Sequence, residues 1–126
     1  MPERIYTTPL LDKLGVKPGM RIALDGVADE TFVAQLRGRG ADVVTDGELD
    51  LAFLSVARVD DLDRIAALRR RLRPTGAIWV LRPKGGPIRE MEVIGAGLRH
   101  RLVDNKIASF SEDLSAMRLV IRRFDR

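Results

Sequence analysis

The chain has 126 residues, with 22 Lys or Arg against 18 Asp or Glu, one His and no Cys. A chain of this length buries about two-thirds of its unfolded surface, so it can fold around one core without covalent or metal staples. The missing Cys excludes a disulfide scaffold, thiol catalysis and Cys-ligated metals, and the single His excludes sites that need two imidazoles. We therefore expect one domain over residues 1–126, with any chemistry carried by carboxylates, Lys, Arg, hydroxyls and backbone amides.

No apolar run approaches the roughly 18 residues of a membrane span, and the first residues lack the pattern of a signal peptide. These observations predict a cytoplasmic protein. The charge is uneven, because residues 1–57 hold six basic and nine acidic side chains, whereas residues 58–126 hold sixteen and nine. A basic half could meet nucleic acid or an anionic ligand, but many of its arginines flank one predicted helix that begins with aspartates, which favours a solvated helix face.

Alternation of helical and strand patterns organises the chain. Apolar spacing and turn residues predict helices over 8–14, 29–39, 60–73 and 88–102, and strands over 20–24, 43–44, 51–56 and 77–81. Two further strands, over 106–110 and 117–124, form a terminal hairpin. Continuously apolar strands between helices are typical of a covered, mainly parallel sheet. The fold class is therefore α/β, a Rossmann-like three-layer sandwich closed by a C-terminal antiparallel hairpin.

One connection does not fit a simple parallel sheet. Only about five residues separate the second and third predicted strands, too few for the crossover helix that neighbouring parallel strands require. Two solutions are open: the pair is antiparallel, or the chain passes under the sheet.

Polar residues follow several of the predicted strands. Ligands of such sheets sit beyond the carboxyl ends of the strands, which predicts ligand-binding roles for Asp25, Gly26, Asp46, Arg82, Lys84 and Gly85. Asp104 and Lys106 precede the predicted hairpin and could project toward the same edge, which adds them to the candidate ligand-binding residues. Asp46 lies 21 residues after Asp25, close to the spacing at which an acid accepts ribose hydroxyls in dinucleotide folds, but the loop after the first strand has one glycine where that fingerprint needs three.

The segment 82–86 carries the most suggestive chemistry. Two cations precede two glycines whose amides could hold an anion, and Lys106 is expected to share a recess with Lys84. The alternative is a solubilising turn. Neither a nucleophile elbow at Ser55 nor a metal site among the acids of 42–50 is indicated, so we assign no catalytic or metal-binding residue. Trp79 is expected in the core rather than stacked on a nucleic-acid base.

The order of elements resembles S-adenosylmethionine-dependent methyltransferases. The resemblance rests on the terminal hairpin and on a Lys-Pro-Gly turn, strand and Asp-Gly in succession. The middle of the chain is too short for all the usual units, and the glycine-rich cofactor loop is absent. The resemblance implies a trimmed methyltransferase fold and leaves the cofactor unknown.

Four phrases together resemble the small bacterial proteins of domain-of-unknown-function family three-thousand-fifty-two. They are KLGVKPGMR (13–21), IWVLRPKG (78–85), LVDNKI (102–107) and RLVIRR (118–123). The resemblance implies a stand-alone domain without established activity, and it draws attention to Lys84, Asp104 and Lys106.

Three functional hypotheses follow. The first is a non-catalytic module that binds an anionic small molecule or a protein partner near Arg82, Lys84 and Lys106. The second is a degenerate S-adenosylmethionine- or nucleotide-binding enzyme, with Asp25 and Asp46 on the cofactor. The third is an RNA-associated factor, which the low aromatic content disfavours. A monomer or a homodimer is expected, because the terminal hairpin leaves an edge strand that a second copy could pair with.

Overall fold

The computed structural model describes residues 10–126. Residues 10–14 are helical (α1), and the rest of the chain alternates strands with helices. The strands are β1 (Arg21–Asp25), β2 (Asp42–Val43), β3 (Leu49–Ser55), β4 (Leu72–Pro83), β5 (Leu102–Ser109) and β6 (Leu114–Ile121). The helices are α2 (Glu30–Gly38), α3 (Ile65–Arg71) and α4 (Glu90–Arg99), with 3-10 turns at Val59–Arg64 and Arg123–Asp125.

The six strands form one sheet in the order β2-β1-β3-β4-β6-β5. Strands β2, β1, β3 and β4 run parallel to one another, and β6 runs antiparallel to both β4 and β5. The chain order reverses at β1, which lies between β2 and β3. This arrangement confirms the predicted α/β class, with a mainly parallel sheet and a C-terminal antiparallel hairpin.

Helices cover both faces of the sheet. On one side, here the α2 face, Leu14 and Phe32 pack with the sheet residue Trp79. On the other side, the α4 face, Ile65 of α3 and Val93 of α4 pack with the sheet. The sheet between them is apolar on both faces, which explains the unbroken apolar runs of the central strands. Trp79 is fully buried, and its Nε1 donates to the Leu14 carbonyl at 3.0 Å, so its predicted place in the core is confirmed.

The short link between β2 and β3 passes across the amino end of β1. The antiparallel alternative is wrong, because β2 and β3 both pair parallel to β1 and do not touch each other in the sheet. The Arg21 side chain spans the link, donating from Nε to the Glu48 carbonyl at 2.8 Å and from Nη2 to the Asp46 carbonyl at 2.7 Å. The link needs no crossover helix, since a guanidinium satisfies its carbonyls directly.

The largest difference between the predicted and the observed helices is in the segment before β4. The predicted helix over 60–73 is a 3-10 turn followed by α3, which ends at Arg71. The next residues bulge against β3, where Leu72 and Ala77 face Leu49 and Leu51. By contrast, α2 begins as predicted: the Asp29 side chain caps it by accepting from the Phe32 amide at 3.0 Å. Of the predicted helix over 8–14, positions 8 and 9 lie outside the described residues.

Within residues 10–126, no helix is long and apolar enough to cross a membrane. The predicted cytoplasmic location stays a prediction.

Candidate functional site

The carboxyl edge of the sheet holds several of the predicted site residues. Asp25 ends β1, Gly26 follows it, and Lys84 and Gly85 follow β4. Asp25 Oδ1 lies 3.4 Å from Arg64 Nη1 in a partly exposed ion pair. Gly26 has a φ of 78°, and a Cβ there would lie 3.1 Å from the Ser55 carbonyl. The guanidinium of Arg64, from the 3-10 turn before α3, therefore lies at the carboxyl ends of β1 and β3.

Asp46 does not lie at this edge. β2 has only two residues, and they pair with Arg21 and Ile22 at the start of β1. The chain then turns back, and the Asp46 carbonyl is bound by Arg21 at the amino edge. The expected meeting of Asp25 and Asp46 is wrong, because four residues of β1 separate the two places and each adds about 3.3 Å. The spacing of 21 residues gave the right separation in sequence but the wrong end of the sheet.

Arg82 is used inside the fold. Its side chain is only 15% exposed, Nη1 donates to the Ile88 carbonyl at 3.0 Å, and Nη2 lies 3.5 Å from Glu90. Lys84 Nζ donates to Ser109 Oγ at 2.7 Å, and Lys84 N donates to the Asp113 carbonyl. These contacts fasten the exit of β4 to α4 and to the hairpin turn. Arg82 and Lys84 were expected to bind one anion together. Each side chain instead contacts a different part of the protein.

Lys84 and Lys106 do not share a recess. Lys84 binds Ser109, which faces Ser115 of β6, whereas Lys106 faces Arg118. Positions 115 and 118 are an odd number of residues apart on one strand, so their side chains leave opposite faces of the sheet. Lys106 Nζ instead donates to the Lys13 carbonyl at 2.9 Å, at the end of α1.

A bulge at Asn105 divides Asp104 from Lys106 as well. Asp104 faces Leu119 and Lys106 faces Arg118, so Asn105 is the extra residue. Leu119 belongs to the core under the α4 face. Asp104 is therefore on the α4 face and Lys106 on the α2 face. Both lie inside β5, level with the middle of β4, so the expectation that they project toward the edge that holds Lys84 is wrong.

Lys106 lines a recess of about 210 Å³ between α1 and the hairpin. Its lining residues are Asp12, Lys13, Leu14, Gly15, Asn105, Lys106 and Arg118. Asp12 is already paired with Arg39, whose Nη1 lies 3.1 Å from Asp12 Oδ1. Among the described residues, the Arg118 side chain has no carboxylate within salt-bridge distance and no hydrogen-bond partner, although its backbone is part of the sheet. Burial lowers the pKa of the Arg118 guanidinium, and the charge of Arg126 lowers it further.

Sequence reasoning missed Arg118 and Lys13. A signal for Arg118 was present, because it is the one charged residue in the otherwise apolar run 116–121. A charge inside a strand buried on both faces costs free energy unless it is paired or reaches a polar recess. Lys13 gave no comparable signal, since exposed lysines on helices are common.

The arginines of the predicted helix over 60–73 mostly bind other parts of the chain. Arg69 Nε donates to the His100 carbonyl, Arg71 Nε to the Gly47 carbonyl and Arg73 Nη1 to Asp50. Hydrogen bonding to Asp50 raises the pKa of Arg73 above its usual value. These contacts give the charge excess a structural role. Across residues 10–126, no group of three or more His, Asp or Glu is arranged to hold a metal ion.

Comparison with solved structures identifies the class of fold. A SAM-dependent methyltransferase from Aquifex aeolicus superposes with a TM-score of 0.72 at 12% identity, covering 92% of this chain and 89% of that one. A TehB-like SAM-dependent methyltransferase from Corynebacterium glutamicum gives 0.71 at 12% identity, covering 92% and 87%. The Burkholderia thailandensis 1,6-didemethyltoxoflavin-N1-methyltransferase gives 0.62 at 15% identity, covering 92% and 76%.

The chain therefore has a trimmed, Rossmann-like methyltransferase fold. At these identities the similarity concerns the fold alone. No family model matches the sequence, and no curated protein matches it either.

Proposed function

We propose that this protein is a non-catalytic binding module of methyltransferase fold, which holds a small anionic molecule in the recess lined by Lys13, Lys106 and Arg118. The observation that carries the proposal is Arg118, a half-buried guanidinium with no carboxylate partner among the described residues. A guanidinium presents two parallel N–H groups, which match a carboxylate or phosphate. A bound anion would supply the missing counter-charge.

The carboxyl end of α1 explains why one cation of the recess, Lys106, lies where it does. Helix carboxyl ends favour cations, and Lys106 already binds the Lys13 carbonyl there. That contact explains Lys106 without a ligand, but it leaves Arg118 unexplained. An anion between the two side chains would bind both, because Lys106 has three donors and uses one for Lys13 in the described contacts.

The size of the recess limits the ligand. A volume of about 210 Å³ is below the roughly 300–1,000 Å³ of drug-sized ligand pockets. The recess therefore fits inorganic phosphate or a short carboxylate, and it is too small for a dinucleotide or for S-adenosylmethionine. The ligand class that we propose is a small phosphate or dicarboxylate.

Thermal unfolding with phosphate and with succinate tests the proposal. A ligand at 100 times its Kd adds about 2.7 kcal/mol of stability, which raises the Tm by several degrees in a domain of this size. The variant R118Q should lose this shift, whereas R37Q, which removes an exposed arginine from α2, should keep it. Equal shifts in R118Q and the unaltered chain, or none with either anion, would overturn the proposal.

S-adenosylmethionine or nucleotide binding at the carboxyl edge is the second candidate function. It is favoured by the fold, which is shared over most of the chain with methyltransferases. It is opposed by Arg64, whose cation lies beside Asp25 and Gly26 where the order of strands reverses. A positive side chain there repels the sulfonium of S-adenosylmethionine. A Tm rise with S-adenosylmethionine that survives R118Q and is lost in D25N would favour this candidate over the first.

A further inference from the structure

Helix α4 presents an exposed apolar stripe. Met91 is 73% exposed and Leu98 is 54% exposed, although both are large apolar residues. They are seven residues apart, which is two helical turns, so they lie on one side of the helix. Gly95 lies between them on the same side. Beyond its chain neighbours and the helix backbone, the heavy atom nearest to a Cβ built there is Arg99 Nη1 at 4.0 Å. The stripe therefore has a shallow notch between two apolar side chains.

The other side of α4 is fully engaged with the sheet. Val93, Ala96 and Gly97 are buried, and a Cβ on Gly97 would meet the Leu119 side chain at 3.2 Å. The helix is fixed in orientation by this packing. Met91 and Leu98 are consequently held outward, and no rotation of the helix could bury them without exposing its buried face.

The neighbouring edge strand adds to the apolar surface but resists pairing. Ile107 of β5 is 51% exposed and faces Met117, so it lies on the α4 face. The bulge at Asn105 and the charge of Lys106 interrupt the free edge of β5, and both features discourage the addition of another strand. A partner is therefore better accommodated on the α4 face than along the strand edge.

We propose that a second copy of this chain docks on this surface, with the two α4 helices antiparallel about a two-fold axis between Ile94 and Gly95. This register sets Met91 of one copy beside Leu98 of the other, twice by symmetry. Gly95 allows close approach of the two helices at the centre. The contact is isologous, so it closes at two copies.

Charge complementarity selects a second copy as the occupant. Glu92 and Arg99 lie on the same flank of the stripe, near opposite ends of α4. Glu92 Oε1 also accepts from the Arg89 amide at 2.9 Å, which fixes the carboxylate at the start of the helix. In an antiparallel pair about this axis, Glu92 of each copy lies within about one helical turn of Arg99 of the other. In a parallel pair the flanks of the two copies that carry Glu92 and Arg99 would lie on opposite sides of the interface, so these opposite charges would not meet. The surface is small, so we expect a Kd in the micromolar range or weaker.

Engineered cysteines test this register directly, because the native chain has no Cys. The variants M91C and L98C are prepared separately and oxidised alone or as a mixture. In either variant alone the two thiols are about 10 Å apart along the axis, beyond disulfide reach, whereas in the mixture they face each other. We expect crosslinked dimer in the mixture and little in the separate samples. Equal crosslinking in all three, or none in any, would overturn the proposed register.

Sedimentation equilibrium of the full chain tests the surface without a crosslink. We expect a concentration-dependent dimer that L98E converts to monomer. F124E is the matched control, since Phe124 is 95% exposed and lies outside α4. R99E should weaken the dimer at least tenfold, because it sets a second carboxylate against Glu92 of the other copy, whereas R99Q should weaken it less. A monomer at every concentration, or a dimer unchanged in L98E, would reject this surface. Neither result bears on anion binding, which uses the α2 face.

Discussion

The two edges of the sheet use their charged residues in different ways. At the amino edge, Asp50 accepts from the Arg21 amide at 2.8 Å and from Arg73 Nη1 at 2.9 Å. Arg21 and Arg71 side chains bind the carbonyls of residues 46–48. At the carboxyl edge, Asp25 and Arg64 meet only at 3.4 Å in a partly exposed pair. At the amino edge, arginine side chains bind the carbonyls of a link that has no crossover helix. At the carboxyl edge, the ion pair between Asp25 and Arg64 is longer and more exposed.

We expect the largest effect from breaking the amino edge at Asp50. D50A removes the acceptor of the Arg21 amide and the partner of Arg73, leaving two donors in a partly buried place. The expected loss is about 2–3 kcal/mol in the free energy of unfolding, measured by urea denaturation. The matched variant D25A at the carboxyl edge should cost at most about 1 kcal/mol, because exposed ion pairs contribute little. Equal losses would remove the distinction between the edges.

A smaller difference is expected between two glycines that share a left-handed backbone. Gly47 and Gly85 have φ values of 84° and 69°. A Cβ at Gly47 would lie 2.6 Å from Arg21 Nη2, whereas a Cβ at Gly85 would meet nothing within 4 Å. G85A should cost about 1 kcal/mol for the backbone conformation alone, and G47A about 1 kcal/mol more, because Arg21 must also move. Urea denaturation midpoints measure both losses. A loss in G47A no larger than that in G85A would contradict the close contact between Arg21 and residue 47.

Local patterns predicted most of the fold. The caps, glycine stops and apolar runs gave α2, β1, β3, the core of β4 and the terminal hairpin, because short-range chemistry decides those elements. The link 44–48 could not be predicted, since it depends on Arg21 and Arg71 reaching across from other elements. The helix before β4 was overextended for a similar reason: its last residues bulge against β3, and pairing with β3 overrides their helical preference.

The candidate site was less predictable than the fold. Asp25, Lys84 and Gly85 were correctly placed at the carboxyl edge, because the carboxyl ends of parallel strands can be read from their sequence. The separation of Lys106 from Lys84 depends on the side-chain faces, and Asp104 was divided from Lys106 by one bulged residue. A single extra residue reverses the face of every later side chain, and the sequence carries no marker of it. Arg118 lines the recess because the hairpin packs beside α1, and local sequence patterns do not predict this tertiary contact.

The carboxyl edge also contains a pH-sensitive contact. The Ala57 and Arg58 amides both donate to Asp61 Oδ2, and these bonds lower the pKa of Asp61. A lowered pKa in the folded state means that the carboxylate stabilises the fold above about pH 4 and that this contribution is lost on further acidification. D61N should therefore lower the Tm at pH 7 and flatten the fall of Tm between pH 5 and pH 2. Parallel Tm–pH curves for D61N and the unaltered chain would contradict this.

The smallest effect is expected at Arg118, away from both edges. Burial and the nearby Arg126 lower the pKa of this guanidinium, which means that its charged form is less favourable in the folded state than in the unfolded chain. Arginine stays charged at neutral pH, so its charge lowers the stability of the ligand-free protein. R118M keeps the length and apolar stem of the side chain and should raise the free energy of unfolding by a few tenths of a kcal/mol. The gain should shrink when phosphate is added, because only the unaltered chain then binds it. A loss of stability in R118M without ligand would mean that the Arg118 guanidinium is already paired within the protein, and it would contradict the proposed anion site.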